Sequence, residues 1–196
     1  LLKTKLFAPQ PTPNMVFRAH LCAHMDRGLT SKLTLVAAPA GFGKTTLIGH
    51  WIQKNSCPFA WVSLDELDND PKVFWGYVVH ALQLAGEHGG QSLLRGLDPV
   101  QLPPTQPILT TLINDLAISS QKFVLVLDDY HLVNDCEEIS FFVNQFIQQV
   151  HAASVRKFDV QQNDVRPLAS QVLSRRFEIC EGHHVVGPFG EVGGID

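Results

Sequence analysis

Short apolar runs alternate along the chain with longer stretches in which apolar residues recur every three or four positions. Lys32 to Pro39 (KLTLVAAP) and Phe59 to Leu64 (FAWVSL) read as buried strands of a parallel sheet, apolar on both faces. Lys122 to Asp129 (KFVLVLDD) is the strongest of these runs, with Val124 to Leu127 uninterrupted. Between the runs the spacing turns helical. Val16 to Gly28 precedes the first strand, and Leu47, Ile48, Trp51 and Ile52 follow it on one face. Val73 to Leu84 carries Phe74, Tyr77, Val78, Ala81 and Leu82 at helical spacing, and Pro107 to Ser119 and Asp135 to Val150 complete the set. Strand and helix in strict alternation predict an α/β fold, a parallel sheet flanked by helices and joined by right-handed crossovers.

Two regions break the alternation. Residues 86–107 hold four glycines and four prolines, which predicts loop with at most a short helix. After His151 the pattern fades to one helix (Arg166 to Arg175) and one strand (Phe177 to Cys180), and the last ten residues contain four glycines. The expected organisation is an N-terminal segment over 1–31, a core over 32–150 and a divergent tail over 151–196. On this reading the sheet is incomplete at its C-terminal end. The chain starts at Leu1 rather than Met, as expected of a piece of something longer.

Bulk properties narrow the classes. At 196 residues with 45% apolar and 17% charged positions, the composition is that of an ordinary globular chain with a real core. A net charge of −4 gives no general reason for this segment to bind nucleic acid. The four cysteines (Cys22, Cys57, Cys136, Cys180) form no C-x-x-C pair, and of nine histidines only His183 and His184 adjoin. A reduced, cytoplasmic protein without a dedicated metal cluster is the simple expectation. No run of about 18 apolar residues is present, so no membrane span is expected.

Chemistry concentrates at the end of the first strand. The run closes on APAGFGKTT, Ala38 to Thr46, ahead of a helix. In this arrangement, a P-loop, backbone amides and the helix N-terminus hold phosphates, a lysine reaches the β- and γ-phosphates, and a Ser or Thr hydroxyl binds magnesium. Gly41 and Gly43 supply the turn, Lys44 the cation and Thr45 the hydroxyl, with Ala40, Phe42 and Thr46 completing the cradle. Ala38 stands where the strict pattern has glycine. The expected ligands are ATP and Mg2+.

The second half of such a site is a buried strand ending in an acid. Asp128 and Asp129 close the third strand, and two carboxylates there are costly unless a cation or donors face them. Asp128 suits the metal, and Asp129 is the candidate base that polarises an attacking water. Two aspartates capping the next turn is the alternative. His131 is either a sensor of the γ-phosphate or an ordinary loop histidine. Trp51, Trp61 and Trp75 fall on core faces and read as packing. Spacing alone leaves Arg18 a surface arginine.

With these segments placed, the chain resembles the N-terminal part of the maltose-regulator family of LuxR-type transcription activators, ATP-dependent proteins of the STAND class. Four segments carry the resemblance over residues 1 to about 150: LLKTKL with Pro9 and the Val16–Arg18–Leu21 spacing, APAGFGKTTL, AWVSLDELDNDPKVFW, and LVLDDYHLV. By this resemblance Lys44 and Thr45 bind phosphate and magnesium, Asp128 and Asp129 are the acidic pair, and Val16 to Arg18 lie near the adenine. It implies self-association coupled to ATP and inducer, and DNA binding through a C-terminal domain that is absent here. It also implies a further apolar strand after Val150, ending near a sensor arginine and lying between the P-loop strand and the acidic strand. The sequence offers no clear equivalent of that strand, as an unrelated or frameshifted ending would not.

A regulatory ATPase module with little or no hydrolysis of its own is therefore the leading expectation. A small-molecule kinase stands second, although a kinase lid wants several arginines and residues 86–107 contain only Arg95. A truncated fragment that binds nucleotide without catalysis stands third.

Overall fold

Leu33–Ala37 (β1), Phe59–Ser63 (β2), Phe123–Asp128 (β3), Val155–Gln162 (β4) and His184–Val186 (β5) make one parallel sheet in the order β2-β3-β4-β1-β5. The structure is a computed structural model that describes residues 1–10, 16, 18–29, 31, 33–55, 57–86, 105–118, 123–133, 135–149, 155–162 and 184–186. Ala19–Gly28 (α1), Lys44–Lys54 (α2), Pro71–Ala85 (α3), Thr105–Ile118 (α4) and Glu137–Gln149 (α5) are the helices.

Alternation along the strands sends successive side chains to opposite faces of the sheet. Leu33, Leu35, Ala60, Val62, Leu125 and Leu127 join the larger buried cluster with α3, α4 and α5. Val36, Trp61, Val124 and Val126 join a second cluster with Leu21, Met25, Ile48 and Trp51 from α1 and α2. Both faces are thus covered, which is why β1, β2 and β3 are mostly apolar. All three tryptophans are packing residues, each no more than 1% exposed. Trp51 donates its indole N–H to Asp26 Oδ1 at 2.7 Å and so ties α2 to α1.

Three helix starts depart from the sequence reading. Helix α3 begins at Pro71 rather than Val73, because Asp70 caps it by accepting from the Lys72 and Val73 amides and proline suits the first helical position. Helix α4 begins at Thr105, so that Pro107 sits in its first turn, where no amide is needed. Helix α1 begins at Ala19, not Val16.

The larger difference is in the tail. Val155–Gln162 forms a strand between β1 and β3, parallel to both, in the position that the sequence reading left empty. Its polar composition (VRKFDVQQ) hid it from an apolar-run criterion. A last short strand, His184–Val186, pairs with β1. The expected helix from Arg166 to Arg175 and strand from Phe177 to Cys180 lie outside the described residues, as does most of the 86–107 loop.

Candidate nucleotide site

All five strands run the same way, so Ala37, Ser63 and Asp128 end at one edge of the sheet, and ligands of open α/β sheets bind at such an edge. The chain leaves β1 there and turns through Ala38 to Gly43, with the Phe42 amide donating to the Pro39 carbonyl at 3.3 Å. Gly41 and Gly43 have φ of 81° and 78°, a left-handed backbone open to glycine at little cost. Space is not the reason at Gly41, where an added Cβ would meet nothing within 4 Å. Gly43 is also the N-cap of α2 and, lacking a side chain, leaves that helix end uncapped.

Lys44 is buried, and its ammonium donates to the Ala38 carbonyl at 2.9 Å and the Pro39 carbonyl at 3.3 Å. The lysine therefore spans the loop from beneath. Thr45 follows on the first turn of α2, with its Oγ1 at 3.2 Å from both carboxylate oxygens of Asp128. Ala40, Phe42 and Thr46 are exposed around the rim.

Asp128 ends β3 beside Ser63 of β2 and is only 3% exposed. Burial, reinforced by the neighbouring Asp129 charge, pushes its carboxyl up to about 7, against the opposing pull of Thr45 and Lys44. Asp129 is half-exposed and adopts φ 57°, the one positive φ outside glycine among the described residues. That turn starts the 3-10 segment Tyr130–Leu132 and separates the directions of the two aspartates. His131 Nδ1 comes within 3.9 Å of Asp129 Oδ1.

Arg18 reaches the loop. Its Nη1 donates to the Phe42 carbonyl at 3.1 Å, while Val16, two residues earlier, is exposed. Spacing had left Arg18 a plain surface residue; the contact brings it to the P-loop tip. Sequence reasoning also passed over Lys5, whose ammonium lies 2.6 Å from Asp65 and 2.7 Å from Asp68. Its partner Asp68 is a buried acid in need of a cation.

The glycine loop, the uncapped helix, the lysine and the acid across the strand ends define a P-loop ATPase fold. Solved structures agree on that fold. The chain superposes on the Orc1 protein of Aeropyrum pernix in complex with DNA with a TM-score of 0.59 at 11% identity, covering 88% of this chain and 46% of that one. It superposes on a Walker-type ATPase of Pyrococcus abyssi with 0.58 at 14% identity, covering 91% and 56%. At such identities the likeness concerns fold alone. No family model matches the sequence.

Among curated proteins, the chain is 39% identical over 147 residues to the HTH-type transcriptional regulator MalT of Serratia proteamaculans (strain 568), covering 73% of this chain and 16% of the relative. It is 35% identical over 136 residues to the MalT protein of Cronobacter sakazakii (strain ATCC BAA-894), covering 69% and 15%. The matched part is the N-terminal, P-loop portion of a maltose-regulator-like protein. The chain spans about a sixth of the length of these relatives. Among the described residues no helix is long and apolar enough to cross a membrane.

Proposed function

We propose that this chain is the ATP- and magnesium-binding switch module of a signal-responsive transcription regulator, with slow or no hydrolysis on its own. The observation that carries the reading is the meeting of Thr45 and Asp128 at the open end of α2, directly beside Lys44. The residues fit the ligands. A hydroxyl and a buried carboxylate facing one point make an oxygen site of the kind Mg2+ takes together with nucleotide phosphates, and a cation there would offset the desolvation of Asp128. Lys44 already rests on neutral carbonyls, which a phosphate oxygen would replace with a charge-assisted partner.

In this reading the amides from Ala40 to Thr46 and Lys44 hold the phosphates, Thr45 and Asp128 hold magnesium, and Val16 and Arg18 border the base. Asp129 is the residue that orients water. Magnesium supplies charge neutralisation between the phosphates. The relatives' name, HTH-type transcriptional regulator, further supports a role in transcription regulation. In this reading the full-length protein is cytoplasmic, self-associates and binds DNA through a domain outside this chain. Calorimetry with ATP, with and without magnesium, tests the proposal on the chain as it stands. Absence of ATP binding in both conditions refutes it.

A further inference from the structure

The described part of residues 1–18 is fastened at points spread between the β2 edge of the sheet and the P-loop. Lys5, on the short 3-10 turn Lys3–Leu6, bonds Asp65 and Asp68 and sits 5.1 Å over the Tyr77 ring. The Leu2 amide donates to the Tyr77 hydroxyl at 3.0 Å. The carbonyl of Pro9 then presses on α2 at Gly49, where a Cβ would lie only 3.2 Å from that oxygen. Gln53 donates to Gln10 one turn further along at 3.4 Å. Last comes Arg18, at the start of α1, bonding the Phe42 carbonyl.

These contacts differ in strength. The Lys5 end is charge-assisted and shielded, with Asp68 1% exposed, whereas the Arg18 bond is exposed and ends on a neutral carbonyl. Helices α1 and α2 are already joined by the Asp26–Trp51 bond, so the packing of α1 does not depend on Arg18. What Arg18 adds is a tie between the N-terminal segment and the loop tip. Two exposed apolar side chains, Val16 and Phe42, flank that tie.

Building on the proposed nucleotide site, we infer that Arg18 is a positioning residue: through the Phe42 carbonyl it fixes the loop tip against the N-terminal segment and so orders the phosphate-holding amides without itself touching the ligand. ATP and a bare polyphosphate should both feel the tie.

The test compares Mg–ATP with Mg–tripolyphosphate by calorimetry on wild type, Arg18→Gln and Arg18→Lys. The expected result for Arg18→Gln is a three- to tenfold weaker affinity for both ligands, roughly the span of one net hydrogen bond. Arg18→Lys, which keeps a donor, recovers part of the loss. Gly49→Val, which forces Pro9 off α2, should reproduce the pattern from a distance. A loss confined to ATP would mean direct contact with the base and overturn the inference, as would no loss at all. Amide exchange over residues 38–43 without nucleotide separates this inference from the ATP reading. Faster exchange in Arg18→Gln upholds the tie even if wild type binds no ATP, and an unchanged rate refutes it.

Discussion

Thr45 Oγ1 lies 3.2 Å from each carboxylate oxygen of Asp128, although 83 positions separate the two residues in the chain. Thr45 opens a helix and Asp128 closes a strand, so their meeting depends on the parallel direction of β1 and β3. Magnesium should tighten ATP binding through this pair, and Asp128→Asn should remove that gain. Calorimetry on both proteins, with magnesium or with a chelator, decides the matter. A mutant with wild-type magnesium dependence would show that Asp128 is not the anchor.

Lys44→Ala should abolish measurable ATP binding while far-UV dichroism stays at the wild-type level. The side chain bonds the Ala38 and Pro39 carbonyls and belongs to neither hydrophobic cluster, so the fold can lose it. Retained affinity would remove the P-loop assignment.

Stability should carry the signature of Asp128. Its carboxyl titrates at about 7 in the folded chain, against 3.8 ordinarily. The folded state therefore keeps a proton that the unfolded state has released, and stability falls as pH rises through that window. Asp128→Asn carries no such penalty. Without nucleotide, it should melt above wild type near about pH 8, with the gap closing towards about pH 5. A gap that does not change with pH counts against the buried, raised carboxyl. Since the metal must displace that proton, the magnesium gain in wild type should also grow with pH.

Lys5→Met should destabilise the chain by about 3 kcal/mol, the low end for breaking a buried ion pair, because it leaves Asp68 buried without its cation. Most of this belongs to Asp68, since Asp65 is 46% exposed and screened by water. Denaturant unfolding of Lys5→Met, Asp68→Asn and the double mutant measures it. If the double mutant loses the sum of the singles, the two groups do not interact.

Turnover should be slow or absent. An arginine supplied to the transferring phosphate is worth about 10³–10⁵ in rate. Strand β4 occupies the sheet position between β1 and β3, yet its site end pairs Gln161 with Val36 and Gln162 with Ala37. Arg156 lies at the opposite end, near Phe123. Among the described residues of β4, no arginine stands at the strand end beside the loop. A steady-state assay giving about 1 s⁻¹ or faster would contradict this.

Most of the core was legible because burial on both faces writes a strand as an unbroken apolar run, as in LTLVA and FVLVLD. The glycine loop was legible because its backbone angles demand particular residues. Strand β4 was not legible: VRKFDVQQ is polar, and only its pairing partners identify it as a strand. Nor were the long-range ties of Lys5 and Arg18, since side chains 60 and 24 positions from their nearest partners leave no local periodicity. Two helices start two residues earlier than the spacing suggests, at Pro71 and at Thr105 ahead of Pro107, because proline, a breaker inside a helix, is a favourable first-turn residue.

The φ of 57° at Asp129 has a practical bearing on how the acidic pair can be dissected. Left-handed backbone is tolerated by asparagine about as well as by aspartate and resisted by residues with bulkier or purely aliphatic branches. Asparagine at 129 thus deletes a negative charge and leaves the turn undisturbed. Alanine or glutamine would shift the turn as well, and with it the backbone that carries Asp128. A silent protein carrying either of those would report distorted geometry as readily as lost chemistry, so the isosteric amide is the clean probe at this position.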